Sequence, residues 1–133
     1  MKKISVTMLL ILAFIASASA QQIEKIFDKY MEDERFQYIY DGSDIDKVNR
    51  QGWKNNGEKM LMLNVAQKAL MKTFSDEVDA AVKADGYKNT TFVRNGTNKV
   101  TSYIRQTPNK KDEVTFIQNG DTNITFIWES FSK

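Results

Sequence analysis

The sequence predicts an α+β domain: an antiparallel sheet with a C-terminal four-strand meander, packed on one face by N-terminal and central helices. Three observations carry this. Residues 23–31 and 66–82 place apolar side chains at helical spacing. The last third of the chain is rich in threonine, valine, isoleucine and aromatics, as strands are. Asn95-Gly96 and Asn119-Gly120 punctuate that third as tight hairpin turns do.

Residues 1–20 stand apart from the fold. Lys2 and Lys3 precede an apolar stretch from Ile4 to Ala16, and Ala18-Ser19-Ala20 follows as a small-residue cleavage site. These are the three parts of a secretory signal peptide. The apolar run is shorter than the roughly 20 residues that span a bilayer, so the expectation is a cleaved leader and no stable membrane anchor. Residues 21–133 are then a single domain beginning at Gln21.

"QQIEKIFDKYMEDERF" carries Ile23, Ile26, Phe27, Tyr30 and Met31 on one helical stripe. Acids outnumber bases in it, whereas a membrane-surface helix wants lysine and arginine on its polar face. It reads as a packing helix. "FQYIY" follows as a strand, with Phe36, Tyr38 and Tyr40 on one face.

Asp41, Asp44 and Asp46 come next, in "DGSDID". A calcium loop of the helix–loop–helix type needs glycine sixth and glutamate twelfth. Counted from Asp41, those positions are Asp46 and Gly52; counted from Asp44, the fifth is Val48. Both registers fail. A short capped helix fits better: Ser43 with Asp46 three residues on resembles a capping box, and Asp44 and Asp46 suit the positive first turn. An irregular cation site and a catalytic acid are the alternatives.

"QGWKNNGEK" is turn-rich, with Trp53 at the core edge. "KMLMLNV" reads as a strand from Lys59 to Leu63 or as the start of one continuous helix from residue 58. The strand is preferred because Asn64, with Gln67 three residues on, caps a new helix. That helix carries the stripe Ala66, Leu70, Phe74, Val78, Ala81 and Val82 and stops at Gly86. Met60, Met62 and Met71 are core fillers. The first two strands are open to parallel pairing through a right-handed crossover over residues 43–50.

"NTTFVR", "KVTSYIRQ", "EVTFIQ" and "NITFIWESF" supply the last four strands, with Pro108-Asn109 in the central loop. Alternation puts Val114 with Phe116, and Ile124 with Phe126 and Trp128, on core faces. Phe126 and Trp128 are expected to bury against the long helix through Leu70, Phe74 and Val78. Thr-Phe-Ile occurs twice, at 115–117 and 125–127.

The available chemistry is narrow. The chain has no histidine and no cysteine, which excludes Ser-His-Asp and Cys-His catalysis and ordinary zinc and copper sites. Gly-rich phosphate loops and dinucleotide fingerprints are also missing. Paired carboxylates remain possible, but composition alone identifies no pair, and "MEDER" at 31–35 reads as a solvated helix end. No catalytic, cofactor-binding or metal residue is assigned, and no cofactor is called for. Asn89, Asn95 and Asn123 head glycosylation sequons. Without Lys2 and Lys3 the chain carries 17 basic and 17 acidic residues, too balanced for a nucleic-acid footprint.

The leader, "QQIEKIFDKY", "FQYIY", "EKMLMLNVA", the long helix ending at "DGY" and the terminal strands together resemble small exported domains of unknown function typical of Bacteroidetes. The resemblance covers most of residues 21–133 and rests on element order and hydrophobic pattern. It implies a cell-envelope location and a small α+β domain, and carries no activity and no site residues. The absence of catalytic signatures, the small size and the strand-rich C-terminus make the expected function that of a non-enzymatic periplasmic or secreted protein that binds another envelope protein. Carriage of a small apolar or lipid ligand between helices and sheet is the alternative, and carboxylate-dependent hydrolysis the second. The oligomeric state is not set by the sequence.

Overall fold

A computed structural model describes residues 21–42, 48, 52–64 and 68–133. Among them are helices α1 (Gln22–Tyr30) and α2 (Lys68–Ala84) and strands β1 (Phe36–Asp41), β2 (Lys54–Leu63), β3 (Lys88–Asn95), β4 (Asn98–Gln106), β5 (Lys110–Asn119) and β6 (Asn123–Ser132). The strands form one sheet in the order β1-β2-β6-β5-β4-β3, and every neighbouring pair is antiparallel. The protein is α+β with an antiparallel sheet.

The antiparallel β1–β2 pair corrects the parallel crossover. Phe36 faces Leu63 and Asp41 faces Glu58. Val48 makes an isolated antiparallel bridge with Lys54, so the chain is already turning back there. Ser43, Asp44 and Asp46, on which the short capped helix rests, lie outside the described residues, as do Ala66 and Gln67.

β2 also starts earlier than the turn-rich composition suggests. It absorbs Asn55, Asn56 and Gly57 through a register shift against β6 between Asn55 and Glu58. The Asn55 side chain accepts the Gly57 N–H at 2.7 Å. Gly57 has φ 115°, and a Cβ there would meet the Tyr40 hydroxyl at 3.0 Å. Glycine thus lets the strand bulge and lets a cross-strand tyrosine lie over it. The continuous helix from residue 58 is excluded, since β2 runs to Leu63.

α1 buries Ile23, Ile26, Phe27 and Tyr30; Met31 lies past its end and is exposed. α2 buries Met71, Phe74, Val78, Ala81 and Val82. Their rings meet those of the sheet: Phe27 stacks on Phe126 with centroids 5.3 Å apart, and Phe74 meets Phe126 edge-on at 5.9 Å. Burying each such ring contributes roughly 1.5–3 kcal/mol. Trp128 departs from expectation. It is only partly buried, and its ring lies 6.4 Å from Phe27 of α1.

α2 ends at Gly86, φ 77°, in a Schellman turn. Tyr87 N–H donates to the Val82 carbonyl at 2.9 Å and Gly86 N–H to the Lys83 carbonyl at 3.2 Å. The turn aims the buried side chains of Asp85 and Tyr87 at the start of α1 and the end of the sheet.

Candidate interaction surface

The register divides the sheet into two faces. The buried side chains of β4, β5 and β6 are Thr101, Asp112, Val114, Phe116, Ile124, Phe126 and Ser130. Cross-strand pairing puts all of them on one face, with Leu61, Leu63 and Phe36 of β2 and β1. This is the face whose rings touch Phe27 and Phe74.

The opposite face is built in rows across the strands. One row runs Ile39, Met60, Ile127, Thr115, Ser102, Thr91. The next runs Gln37, Met62, Thr125, Ile117, Val100, Val93. None of these side chains is buried, and Val93 is 55% exposed. A solvent-facing antiparallel sheet ordinarily alternates to polar outside; here Ile, Met and Val occupy the middle of the outer face. The two Thr-Phe-Ile runs pair with each other. Phe116 faces Phe126 in the core, while Thr115 faces Ile127 and Ile117 faces Thr125 on the outside.

A third row borders the apolar pair: Asp41, Glu58, Glu129 and Glu113, one from each of four adjacent strands. Like charges directly opposed destabilise a sheet. The Lys111 ammonium lies 3.7 Å from the Glu113 carboxylate and 4.8 Å from the centre of the Phe131 ring. Asp41, the one described aspartate of "DGSDID", therefore belongs to a charged row on the sheet.

Two polar centres lie on the helix side. The Asp85 carboxylate accepts the N–H groups of Gln22 at 2.9 Å and Ile23 at 2.8 Å, capping α1, whose own Gln21 side chain makes no cap bond. Beside it, Arg105 donates to the Asp85 carbonyl at 3.1 Å and to Asp112 at 2.9 Å, and Ser130 donates to Asp112 at 2.8 Å. The Arg105 guanidinium lies 4.7 Å from the Tyr87 ring centre. Burial, outweighing the nearby guanidinium, pushes the Tyr87 phenol well up, so it stays protonated. Asp112 is 2% exposed. The Tyr87 hydroxyl is buried without a hydrogen-bond partner, while Arg105, Asp112, Ser130 and Asp85 pair as described and hold the helix ends to the sheet.

The remaining sequence candidates sit apart. Asp33, in the acidic helix end, pairs with Arg35 at 2.6 Å. The Asn89 amide donates to the carbonyls of Thr91 and Ser102, and Asn123 accepts from Asn119. A cleft of about 380 Å³ between the helices is lined by Lys25, Ile26, Lys29, Glu77 and Ala81, among others. Among the described residues, no three acids, histidines or cysteines are grouped to hold a metal, and no helix is long and apolar enough to cross a membrane.

Sequence reasoning missed Asp85, Asp112 and Arg105, because pairing across the fold has no local signature. It also missed the outer rows. Their signal was present: runs such as "MLML" are apolar at every position, not at alternate ones. Compared with known proteins, the chain matches no family model, no curated protein and no solved structure.

Proposed function

We propose that this chain is a non-enzymatic exported envelope protein, a small protein-interaction module resembling exported domains of unknown function. The observation that carries the reading is the outer sheet face, where Ile39, Met60, Ile127, Met62, Ile117, Val100 and Val93 stand in two adjoining rows. In this reading the four C-terminal strands act as a meander that the helices cover on one side only, and the partner takes the other. Contiguous apolar surface of this kind marks interaction sites on soluble proteins.

Core packing supports a protein partner over a carried ligand. Phe27, Tyr30, Phe36, Phe74, Phe116 and Phe126 meet one another between helices and sheet at centroid distances of 4.5–6.4 Å. These rings fill the space that a lipid would need.

The test is capture from the native envelope fraction with the tagged protein and with Ile127→Glu, which charges the middle of the outer face. The expected result is loss of the captured protein at an unchanged melting temperature. Equal capture by both proteins rejects the face. A native protein that still carries Met1, read by mass spectrometry, rejects the export.

A further inference from the structure

The sheet has two outer edges, and they are built differently. β3 carries Lys88 and Arg94, and its ladder with β4 is broken by a register shift between Asn89 and Thr91. The Asn89 amide also occupies the Thr91 carbonyl. Charges, bulges and blocked carbonyls are what natural sheets use to deter strand addition. β1 is guarded less: its one charge is Asp41, at its end, and it has no bulge. It reads Phe-Gln-Tyr-Ile-Tyr-Asp, without lysine, arginine, proline or glycine, and pairs with β2 in unbroken register over all of its residues. Ile39 is 37% exposed and Tyr40 54%.

We infer that β1 pairs with β1 of a second copy of this chain, antiparallel, about a two-fold axis at Ile39. The register follows from the residues. A two-fold axis perpendicular to the sheet keeps each side chain on its own face, so the axis must lie at one residue and its own copy. Centred on Ile39, Tyr38 faces Tyr40 of the second copy, and Gln37 faces Asp41 of the second copy. No like charges oppose one another, and the Gln37 amide brings donors to a carboxylate acceptor. Centred on Tyr38, the pairing would enlist Phe36, whose N–H already donates to the Asp33 carbonyl at 2.9 Å. The Ile39 axis uses residues 37–41 and leaves that bond intact.

Both faces gain from this register. On the helix side, two Tyr38–Tyr40 pairs form, and aromatic cross-strand pairs are among the stabilising ones. On the outer side, the Ile39–Met60–Ile127 row of one copy runs into the same row of the other. A single apolar strip then crosses the junction. Because the contact is isologous, it closes at two copies and leaves only the two guarded β3 edges outside. The inference concerns the sheet edge and stands apart from the partner proposed for the outer face.

Sedimentation velocity of the purified protein across a wide concentration range tests it. A reversible dimer is expected, and Ile39→Lys, which sets two ammonium groups against each other on the axis, is expected to leave a monomer. Because the chain has no cysteine, single cysteines report the register independently of that variant's folding. Ile39→Cys is expected to form a covalent dimer on oxidation, and Phe92→Cys on the other edge is not. A protein that stays monomeric at the highest concentration overturns the inference. So does a dimer unaffected by Ile39→Lys, or cross-linking through Phe92→Cys in place of Ile39→Cys.

Discussion

The carboxylate of Asp85 accepts the backbone N–H of Ile23 at 2.8 Å across 62 residues of sequence. One side chain at the C-terminal end of α2 therefore caps the N-terminal end of α1. The first N–H groups of a helix lack partners within it, and a carboxylate also meets the positive end of the helix dipole.

Asp85→Ala is expected to cost about 2 kcal/mol, more than an ordinary cap, because two N–H groups lose a charged acceptor. Urea unfolding measures it. Asp28→Ala, on the exposed side of α1, should stay within about 0.5 kcal/mol of the parent. Equal losses from the two variants would show that the cap contributes nothing particular.

Arg105→Met leaves the Asp112 carboxylate buried without its cation. Removing one partner of a buried pair typically costs about 3–5 kcal/mol. Arg105 keeps some solvent contact, so the lower end is expected. Ser130→Ala removes one hydrogen bond to the same carboxylate, for about 1.5 kcal/mol. Adding Asp112→Leu to Arg105→Met should recover part of the loss, and a thermal-melt cycle over the variants reads the coupling.

Phe126→Ala is expected to destabilise by about 3–5 kcal/mol, since the ring is fully buried between Phe27 and Phe74. Trp128→Ala should cost less, because that ring is already part exposed. A larger loss at Trp128 in denaturant titrations would reverse the assignment of the two residues.

The Arg35 side chain, followed by its backbone N–H, holds the Asp33 carboxyl at about 2, well below the usual carboxylate range. The sign follows from the depression. The contact is complete above the ordinary aspartate range and is lost as pH falls through about 2. Carbon-detected NMR titration should find Asp33 still ionised below the usual carboxylate range. Arg35→Gln should return it to the ordinary range.

The helices were legible because each has one apolar face and a clear period, and the last four strands because runs rich in threonine, β-branched and aromatic residues are separated by turn residues. α1 shows Ile23, Ile26, Phe27 and Tyr30 at helical spacing, and the same residues are buried. β2 was harder for a physical reason. Leu61 and Leu63 point into the core while Met60 and Met62 point outward, so "MLML" lacks the alternation that marks a strand with one wet face. The same excess of apolar residues that obscured the strand forms the candidate surface. Trp128 was placed too deep because alternation gives the face of a side chain but not how far the covering helices extend over it.

β6 is the last strand in sequence, yet it sits between β2 and β5 and pairs with both. Among the described residues, no strand pairing joins β1 and β2 to β3, β4 and β5 except through β6, which is the seam. Leu61 must find Phe126 across the sequence before the sheet is one object, and closing so long a loop carries an entropic cost that local hairpins avoid. Pairings this distant in sequence belong to the contacts that slow folding relative to local hairpins. During synthesis, Leu61 and Leu63 of β2 gain their neighbours Phe126 and Ile124 only once β6 has been made.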